Sequence, residues 1–320
     1  MSETANFEKL SPLLILDELS VQYGLECQPL LTPFNSYVNR VFGVKDADSR
    51  PWIVKFYRPG RWSEQTLHEE HLFLKEAGEA ELPVVQPLVN LDGNTLSVSG
   101  EFFWAVFEQK GGRTFEGESL EDLRRLGSLV GRLHTAAVKR GCPHRMVLTP
   151  QGCGDTFADE LWDAGVVHPD FRAEIFEVID TALNRMDPLF TDKTLLHRLH
   201  GDLHRGNVLE RGKEGLLLMD FDDMLLGPPV QDLWMFLPDR VENCPEQVKA
   251  LEEGYEVWRP FDRSWWKLVE PLRFLRNLYF LTWCSRQRSD KGFFTQFPDW
   301  GSRAFWLKEL EDLKEQVNHL

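Results

Sequence analysis

The sequence predicts an α+β protein of two lobes, a strand-rich front followed by a helix-rich back. Three observations carry that prediction. The chain has 320 residues, more than one typical core comfortably fills, and 42% are hydrophobic, with 11 Trp and 22 Phe among them, so one large or two medium-sized cores can be packed. Strand-like runs dominate as far as residue 108, whereas from Leu120 onward apolar residues recur mostly at helical intervals. Between them lies QKGGRTF, residues 109–115, a polar joint with two glycines. The expected division is therefore 1–108 and 109–320.

Residues 10–23 space Leu13, Leu14, Leu16, Leu19 and Val21 loosely at helical intervals, which predicts a short helix packed as a satellite. LTPFNSYVNRVFGVKDADSRPWIVKFYRPG follows, two extended stretches that DADSR breaks into a hairpin. Past Pro59 and Gly60, Ser63 is an N-cap for SEQTLHEEHLFLKEAGE, whose Leu67, Leu72, Phe73 and Leu74 supply the buried face of a helix. Residues 84–89, 95–99 and 102–108 read as further strands, separated by LDGN and a Gly-Glu turn, so the front is β-β-α-β-β-β. In the back, helices are expected over 119–139, 170–187, 229–238, 263–287 and 303–318. One small hairpin interrupts them at 207–221, where the apolar runs of NVLERGKEGLLLMDF flank a Gly-Lys-Glu-Gly turn.

Composition excludes several classes. A net charge of −15 and a pI near 5.1 repel nucleic-acid phosphates and anionic lipid, so neither nucleic acid nor membrane is an expected partner. No stretch approaches the run of about 18 apolar residues that a membrane span needs, and the N-terminus carries acids where a secretory signal carries lysine or arginine. Cys27, Cys142, Cys153, Cys244 and Cys284 are odd in number, scattered and free of C-x-x-C spacing, which reads as reduced thiols in the cytoplasm rather than a disulfide framework.

The chemistry concentrates at residues 197–210, HRLHGDLHRGNVLE, and at MDFDD, residues 219–223. The hairpin between Asn207 and Asp220 returns the chain to one spot, so their oxygens face the same small volume. Asp202 and Asn207 keep the interval of the protein-kinase catalytic loop H-R-D-L-x-x-x-N, and Asp220-Phe221 matches the start of D-F-G, with Asp222 at the glycine. His200-Gly201-Asp202-Leu203-His204 and Met219-Asp220-Phe221 resemble the H-G-D-x-H-x-x-N and I/V-D-F/L signatures of aminoglycoside and choline kinase-like phosphotransferases. Over nearly the whole chain, LTPFNSYVNRVF, IVKFYRPGRW, EEHLF, RLHGDLHRGNVL, DFDDMLLGPPVQDLW and EPLRFLR resemble the bacterial stress response kinase A family, Ser/Thr protein kinases of that superfamily.

The resemblance implies a two-lobed protein kinase-like fold, with a small β-rich N-lobe carrying one main helix and a larger helical C-lobe. It implies ATP as phosphoryl donor and Mg²⁺ as cofactor. Asp202 would accept the proton of the attacking hydroxyl, Asn207 and Asp220 would hold Mg²⁺, and His204 would touch the transferred phosphoryl group. Ser36 matches the position that closes over the ATP phosphates, with Asn35 and Asn39 as neighbours; the chain has no G-x-G-x-x-G, so a hydroxyl and turn amides must do that work. Lys55 matches the strand lysine that contacts the α and β phosphates. Its expected partner is Glu70, at packing intervals from Phe73, Leu74 and Ala77, with Glu69 as the alternative. Residues 108–110 match the hinge that meets adenine, and Asp232 the buried acid that braces the catalytic loop.

Rival readings are weaker. His197, His200 and His204 have intervals a zinc site could use, but no H-E-x-x-H acid or nearby cysteine accompanies them. G-D-L-H-R-G-N lacks the lysine of a phosphate-binding P-loop. Only eleven residues separate Asp220 from Asp232 and there is no A-P-E, which by itself favours a small alcohol such as homoserine, choline or an aminoglycoside as acceptor. The whole-chain resemblance favours Ser/Thr in proteins, and a monomeric protein kinase is the expectation adopted.

Overall fold

The computed structural model describes residues 7–34, 36–138, 140–191 and 196–320. Helix α1 (Pro12–Tyr23) starts on Ser11, whose side chain accepts from the Leu14 amide, and stops at Gly24 in the left-handed conformation. The front sheet follows: β1 (Thr32–Pro33), β2 (Arg40–Lys45), β3 (Pro51–Phe56), β4 (Ser97–Ser99) and β5 (Phe102–Glu108), ordered β1-β2-β3-β5-β4 with every pair antiparallel. Helix α2 (Glu64–Glu79) crosses between β3 and β4, capped by Ser63 at 3.2 Å from the Thr66 amide.

The two-residue period of the strands decides what each face does. On one face Val54, Phe56, Trp104 and Val106 pack against Ile15, Leu19 and Tyr23 of α1. On the other, the neighbours Val41 and Lys55, and Ile53 and Phe107, point into a cleft. Residues 84–89 form no strand, only bridges from Val84 to Leu218 and from Pro87 to Phe107. Pro83 and Pro87 lack the amide hydrogens a ladder needs.

The remainder is built of β6 (Arg113–Thr114), α3 (Leu120–Ala137), α4 (Asp155–Ala164), α5 (Arg172–Met186), β7 (His197–Leu199), β8 (Val208–Glu210), β9 (Leu216–Leu218), β10 (Leu225–Gly227), α6 (Gln231–Trp234), α7 (Pro245–Tyr255), α8 (Val269–Gln287), α9 (Phe293–Gln296) and α10 (Arg303–Val317). The helix expected over 229–238 is a single turn, α6, and the one expected over 263–287 begins with a 3₁₀ stretch, Arg263–Leu268, before α8. Helices α4 and α7 were not anticipated. Helix α7 packs on α3 so closely that a methyl on Gly127 would lie 2.3 Å from the Leu251 carbonyl oxygen, and its buried face includes Gly254 and Glu252, which dilutes the apolar period.

Two short ribbons position the chemistry. Strands β8 and β9 pair as the expected hairpin, Val208 opposite Leu218, and β7 pairs with β10, Leu199 opposite Leu225. The loop 200–207 joins β7 to β8 and the segment 219–224 joins β9 to β10, so the two lie side by side.

Candidate active site

Backbone contacts lock these two loops together. The Met219 amide donates to the Asn207 carbonyl at 2.9 Å, and His200 Nε2 pairs with the Met219 carbonyl oxygen at 2.7 Å. Gly201 has φ +88°, and a Cβ there would sit 2.1 Å from the Asp223 carbonyl oxygen, so no other residue fits at this position, where the protein-kinase loop carries arginine. Asp232, fully buried in α6, accepts from the His200 amide (2.8 Å) and the Gly201 amide (2.9 Å), and pairs with His134 of α3 at 2.9 Å. This is the brace that the family resemblance implied.

The loop directs Asp202 into the cleft. Arg276, on α8, donates to its Oδ1 at 2.7 Å, and His204 Nε2 lies 3.5 Å from Oδ2. Burial raises the Asp202 pKa, but the hydrogen bonds and charges of His204 and Arg276 outweigh it and hold the carboxyl well below the usual range. Asn207 donates through its amide nitrogen to the Asp202 carbonyl oxygen at 2.9 Å, and its amide oxygen has no hydrogen-bond partner among the described residues. Asp220 stands at the end of β9 with φ +58°, a left-handed backbone that Asp tolerates better than most residues, and its side chain is about half exposed to the cleft (53%). An amide and a carboxylate lining one cavity offer hard oxygen donors that suit Mg²⁺ or Ca²⁺ rather than a thiolate-seeking ion.

Lys55 corrects one expectation. Its Nζ donates to Asp220 Oδ1 at 2.8 Å and pairs with Asp222, and no Lys55–Glu70 ion pair forms among the described residues. Burial lowers its pKa, but Asp220, Asp222 and Glu70 overcome that and raise it, so the ammonium stays charged. Glu70 is buried and accepts from the Tyr57 hydroxyl at 3.4 Å, with Arg145 3.5 Å away. Burial and the charge of Asp222 push its carboxyl up to about 8 against the pull of Lys55 and Arg145, so it is a poor counter-ion at neutral pH. Glu69 accepts instead from the His144 amide.

Two cavities meet here. One, about 590 Å³, runs from residues 108–112 past Lys55 to Asn207 and Asp220. The other, about 560 Å³, holds Asp202, Asp222, Asp223 and Arg276 under Tyr37, Phe280 and Trp283. Ser36, Asn39 and Asp220 line both. Asn35 lies outside the described residues. Asn39 is buried and ties the front lobe to the acids, donating to Asp222 Oδ2 at 2.5 Å while its oxygen accepts from the Arg58 amide at 3.1 Å.

Sequence reasoning missed Asp222, Arg276 and Arg145. Arg145 is fully buried, its guanidinium donating to the carbonyl oxygens of Asp222, Met224 and Thr66 and so clamping α2 to the segment that carries Asp220. Nothing in its neighbourhood of the sequence marks it. The three histidines of the opening run diverge: His200 bonds the Met219 carbonyl oxygen, His204 accepts from the Gly206 amide, and burial pushes His197 down to about 4.

Comparison with known proteins agrees with this geometry. The phosphotransferase enzyme family matches residues 31–269. The chain is 35% identical to stress response kinase A of Salmonella paratyphi A and 34% identical to that of Escherichia coli, in each case over 98% of this chain and 94% of the relative. It is 35% identical, with the same coverage, to a Salmonella typhimurium protein named serine/threonine protein kinase RdoA. Among solved structures, an amicoumacin kinase in complex with AMP-PNP and Ca²⁺ superposes with a TM-score of 0.76 at 16% identity, covering 97% of this chain and 95% of that one. Choline kinase LicA from Streptococcus pneumoniae gives 0.62 at 16% identity, covering 96% and 99%. Those two share the two-lobed kinase-like fold. The chain is thus a kinase, a member of the phosphotransferase enzyme family on the branch of the stress response kinase A proteins.

Proposed function

We propose that this kinase transfers the γ-phosphoryl group of ATP, with Mg²⁺, to serine or threonine hydroxyls of proteins. The observation that carries the transfer is the shared wall of the two cavities: Ser36, Asn39 and Asp220 stand between a cleft shaped for a nucleotide and a pocket holding Asp202. In this reading residues 1–108 supply the nucleotide lobe and 109–320 the catalytic lobe, with 108–110 as the adenine hinge.

Asn207 and Asp220 would hold the Mg²⁺, which when bound neutralises charge on the β and γ phosphates. Lys55, buried and charged, orients the α and β phosphates, and the Ser36 hydroxyl closes over the triphosphate. Asp202 turns the acceptor hydroxyl toward the phosphorus and takes its proton, held ionised and in place by Arg276. His204, beside Asp202, lies against the transferred group. Because phosphoryl transfer has a loose transition state, this positioning carries most of the rate.

The choice of a protein acceptor is supported by the name of the Salmonella typhimurium relative and by the charge balance of the acceptor pocket. Its Asp202, Asp222 and Asp223 are already matched by Arg276, Lys55 and Arg61, which leaves little for an ammonium substrate to pair with. The alternative, a small alcohol or amino alcohol, is supported by the solved aminopropanol kinase, with a TM-score of 0.70 at 18% identity. Thiols left unpaired at all five cysteines suit a reducing compartment such as the cytoplasm. Labelled ATP offered with protein mixtures, and separately with homoserine, choline and aminoglycosides, tests the choice. Label on a small alcohol and none on protein defeats it. Asp220→Asn, which keeps a residue tolerant of the left-handed backbone, should abolish transfer while leaving the melting temperature near that of the parent.

A further inference from the structure

Residues 36–39 stand where the two cavities meet: all four line the acceptor pocket, and Ser36 and Asn39 line the nucleotide cleft as well. No ladder shapes this segment, since β1 ends at Pro33 and β2 begins at Arg40. Two arginines hold it instead. Arg40 Nη1 donates to the carbonyl oxygens of Ser36, Tyr37 and Asn39 at 3.4, 3.4 and 3.1 Å. Arg58 Nε donates to the Val38 carbonyl oxygen at 3.1 Å and its Nη2 to that of Tyr37 at 3.5 Å, while the Arg58 backbone amide donates to the Asn39 side chain at 3.1 Å. In a trans peptide the N–H points opposite to the C=O, so the amide hydrogens of Tyr37, Val38 and Asn39 are turned away from the guanidinium groups that hold the carbonyls.

The group that fixes Arg58 belongs to the other lobe. Asp290, in the turn between α8 and α9, accepts from Arg58 Nη1 at 3.1 Å and from Nη2 at 2.6 Å, the two-bond geometry that makes such pairs both strong and directional. Their side chains are only 11% and 14% exposed, and Asp290 is the one carboxylate within ion-pair distance of Arg40 or Arg58 among the described residues. Both guanidinium groups lie over the Phe7 ring, at 4.4 and 5.8 Å from its centre, so they repel one another, and Asp290 offsets that repulsion. Helix α8 also carries Arg276, which holds Asp202. One helix and the turn after it thus support the base and the segment between the cavities together.

We propose that Arg58 is a positioning residue for the phosphoryl donor: gripped by Asp290, it fixes residues 36–39 so that their hydroxyl and amide donors meet the triphosphate. The inference rests on the reading above that Ser36 closes over the ATP phosphates. It adds that the C-terminal lobe, through this Arg58–Asp290 latch, sets the shape of that closure.

The test measures binding of AMP-PNP with Mg²⁺, and separately of adenosine, to the full-length kinase by calorimetry. Arg58→Met and Asp290→Ala should each weaken AMP-PNP about ten-fold, the loss expected when a charge-assisted bond no longer holds its group in place. Adenosine, which has no phosphate to place, should bind as it does to the parent. The Asp290 variant separates the latch from a simple field effect: removing a negative charge would by field alone favour an anionic nucleotide, whereas a loosened segment disfavours it. The double variant should bind no worse than Arg58→Met alone, because the two residues act as one unit. If Arg58→Met does not fold, Asp290→Ala decides by itself. AMP-PNP bound by the variants as tightly as by the parent, or more tightly by Asp290→Ala, overturns the latch and leaves the Ser36 reading standing. Adenosine weakened as much as AMP-PNP also overturns it, since the damage is then general. A parent that binds AMP-PNP no better than adenosine overturns the Ser36 reading and the latch together.

Discussion

Asp232 offers a sharp test of how the catalytic loop is held. The perturbation is Asp232→Asn, which preserves shape but replaces one acceptor oxygen with an NH₂ group. Three donors converge on the parent carboxylate: the His200 amide and His134 Nε2 on one oxygen, and the Gly201 amide on the other. The least damaging placement of the carboxamide keeps its oxygen toward His200 and His134, so its NH₂ then confronts the Gly201 N–H. One charge-assisted bond is lost, worth roughly 1.5–3 kcal/mol, and a buried amide is stranded at a further cost of roughly 1–3 kcal/mol, so a net loss of about 3–5 kcal/mol is expected. His134, His200 and Asp232 are all 0% exposed, so water cannot repair the gap. Urea unfolding measures the first part of this prediction and steady-state turnover the second. Turnover should fall with little change in the KM for ATP, because the slackened loop carries Asp202 and not the adenine cleft. An unfolding midpoint and a turnover both equal to those of the parent would refute the reasoning.

Three further outcomes are expected. Arg276→Met removes a hydrogen bond and a charge that hold the Asp202 pKa down; the parent base therefore loses its charge only in strong acid, and in the variant the acid limb of kcat/KM should move to higher pH, which a rate profile across the acid range will detect. Glu70 has a folded-state pKa near 8, above its ordinary value, so between the two the unfolded chain releases a proton that the folded protein keeps and stability falls as pH rises; Glu70→Gln should flatten that slope, seen by comparing urea midpoints of the two proteins at about pH 6 and about pH 8.5. Gly201→Ala forces a side chain into a left-handed backbone and against the Asp223 carbonyl oxygen, and should cost more than about 2 kcal/mol and abolish transfer; a variant that melts with the parent would contradict the geometry.

Local pattern made much of this fold readable. Ser63 as a cap, DADSR as a turn, and the spacing of Asn207 from Asp220 are signals confined to a few consecutive residues, and each element they foretold formed. Where tertiary packing overrides local preference the reading failed. Prolines 83 and 87 turned an apolar run into isolated bridges, and helix α7 hides its buried face behind glycine and a buried glutamate. The site divides the same way. Intervals within one short stretch single out Asp202, Asn207 and Asp220, whereas Arg276 reaches Asp202, and Arg145 the Asp222 carbonyl oxygen, from distant segments of the chain. The pairing of Lys55 was misread for a similar reason: spacing offers Glu70, but the tertiary fold brings two aspartates of the segment after β9 within ion-pair distance of Lys55, a proximity that a sequence does not display.

Residues 221–231 are wedged into the structure from end to end. Phe221, Met224, Leu225 and Val230 are buried, strand β10 is zipped to β7, and the Gln231 amide donates to the Gly201 carbonyl oxygen at 2.9 Å. A stretch so firmly seated cannot swing between engaged and disengaged poses without dismantling the ribbon that aims Asp202. The stretch that follows Asp220 is thus part of the frame, and a displacement anywhere along it would be transmitted to the Asp202 loop through the Gln231–Gly201 bond.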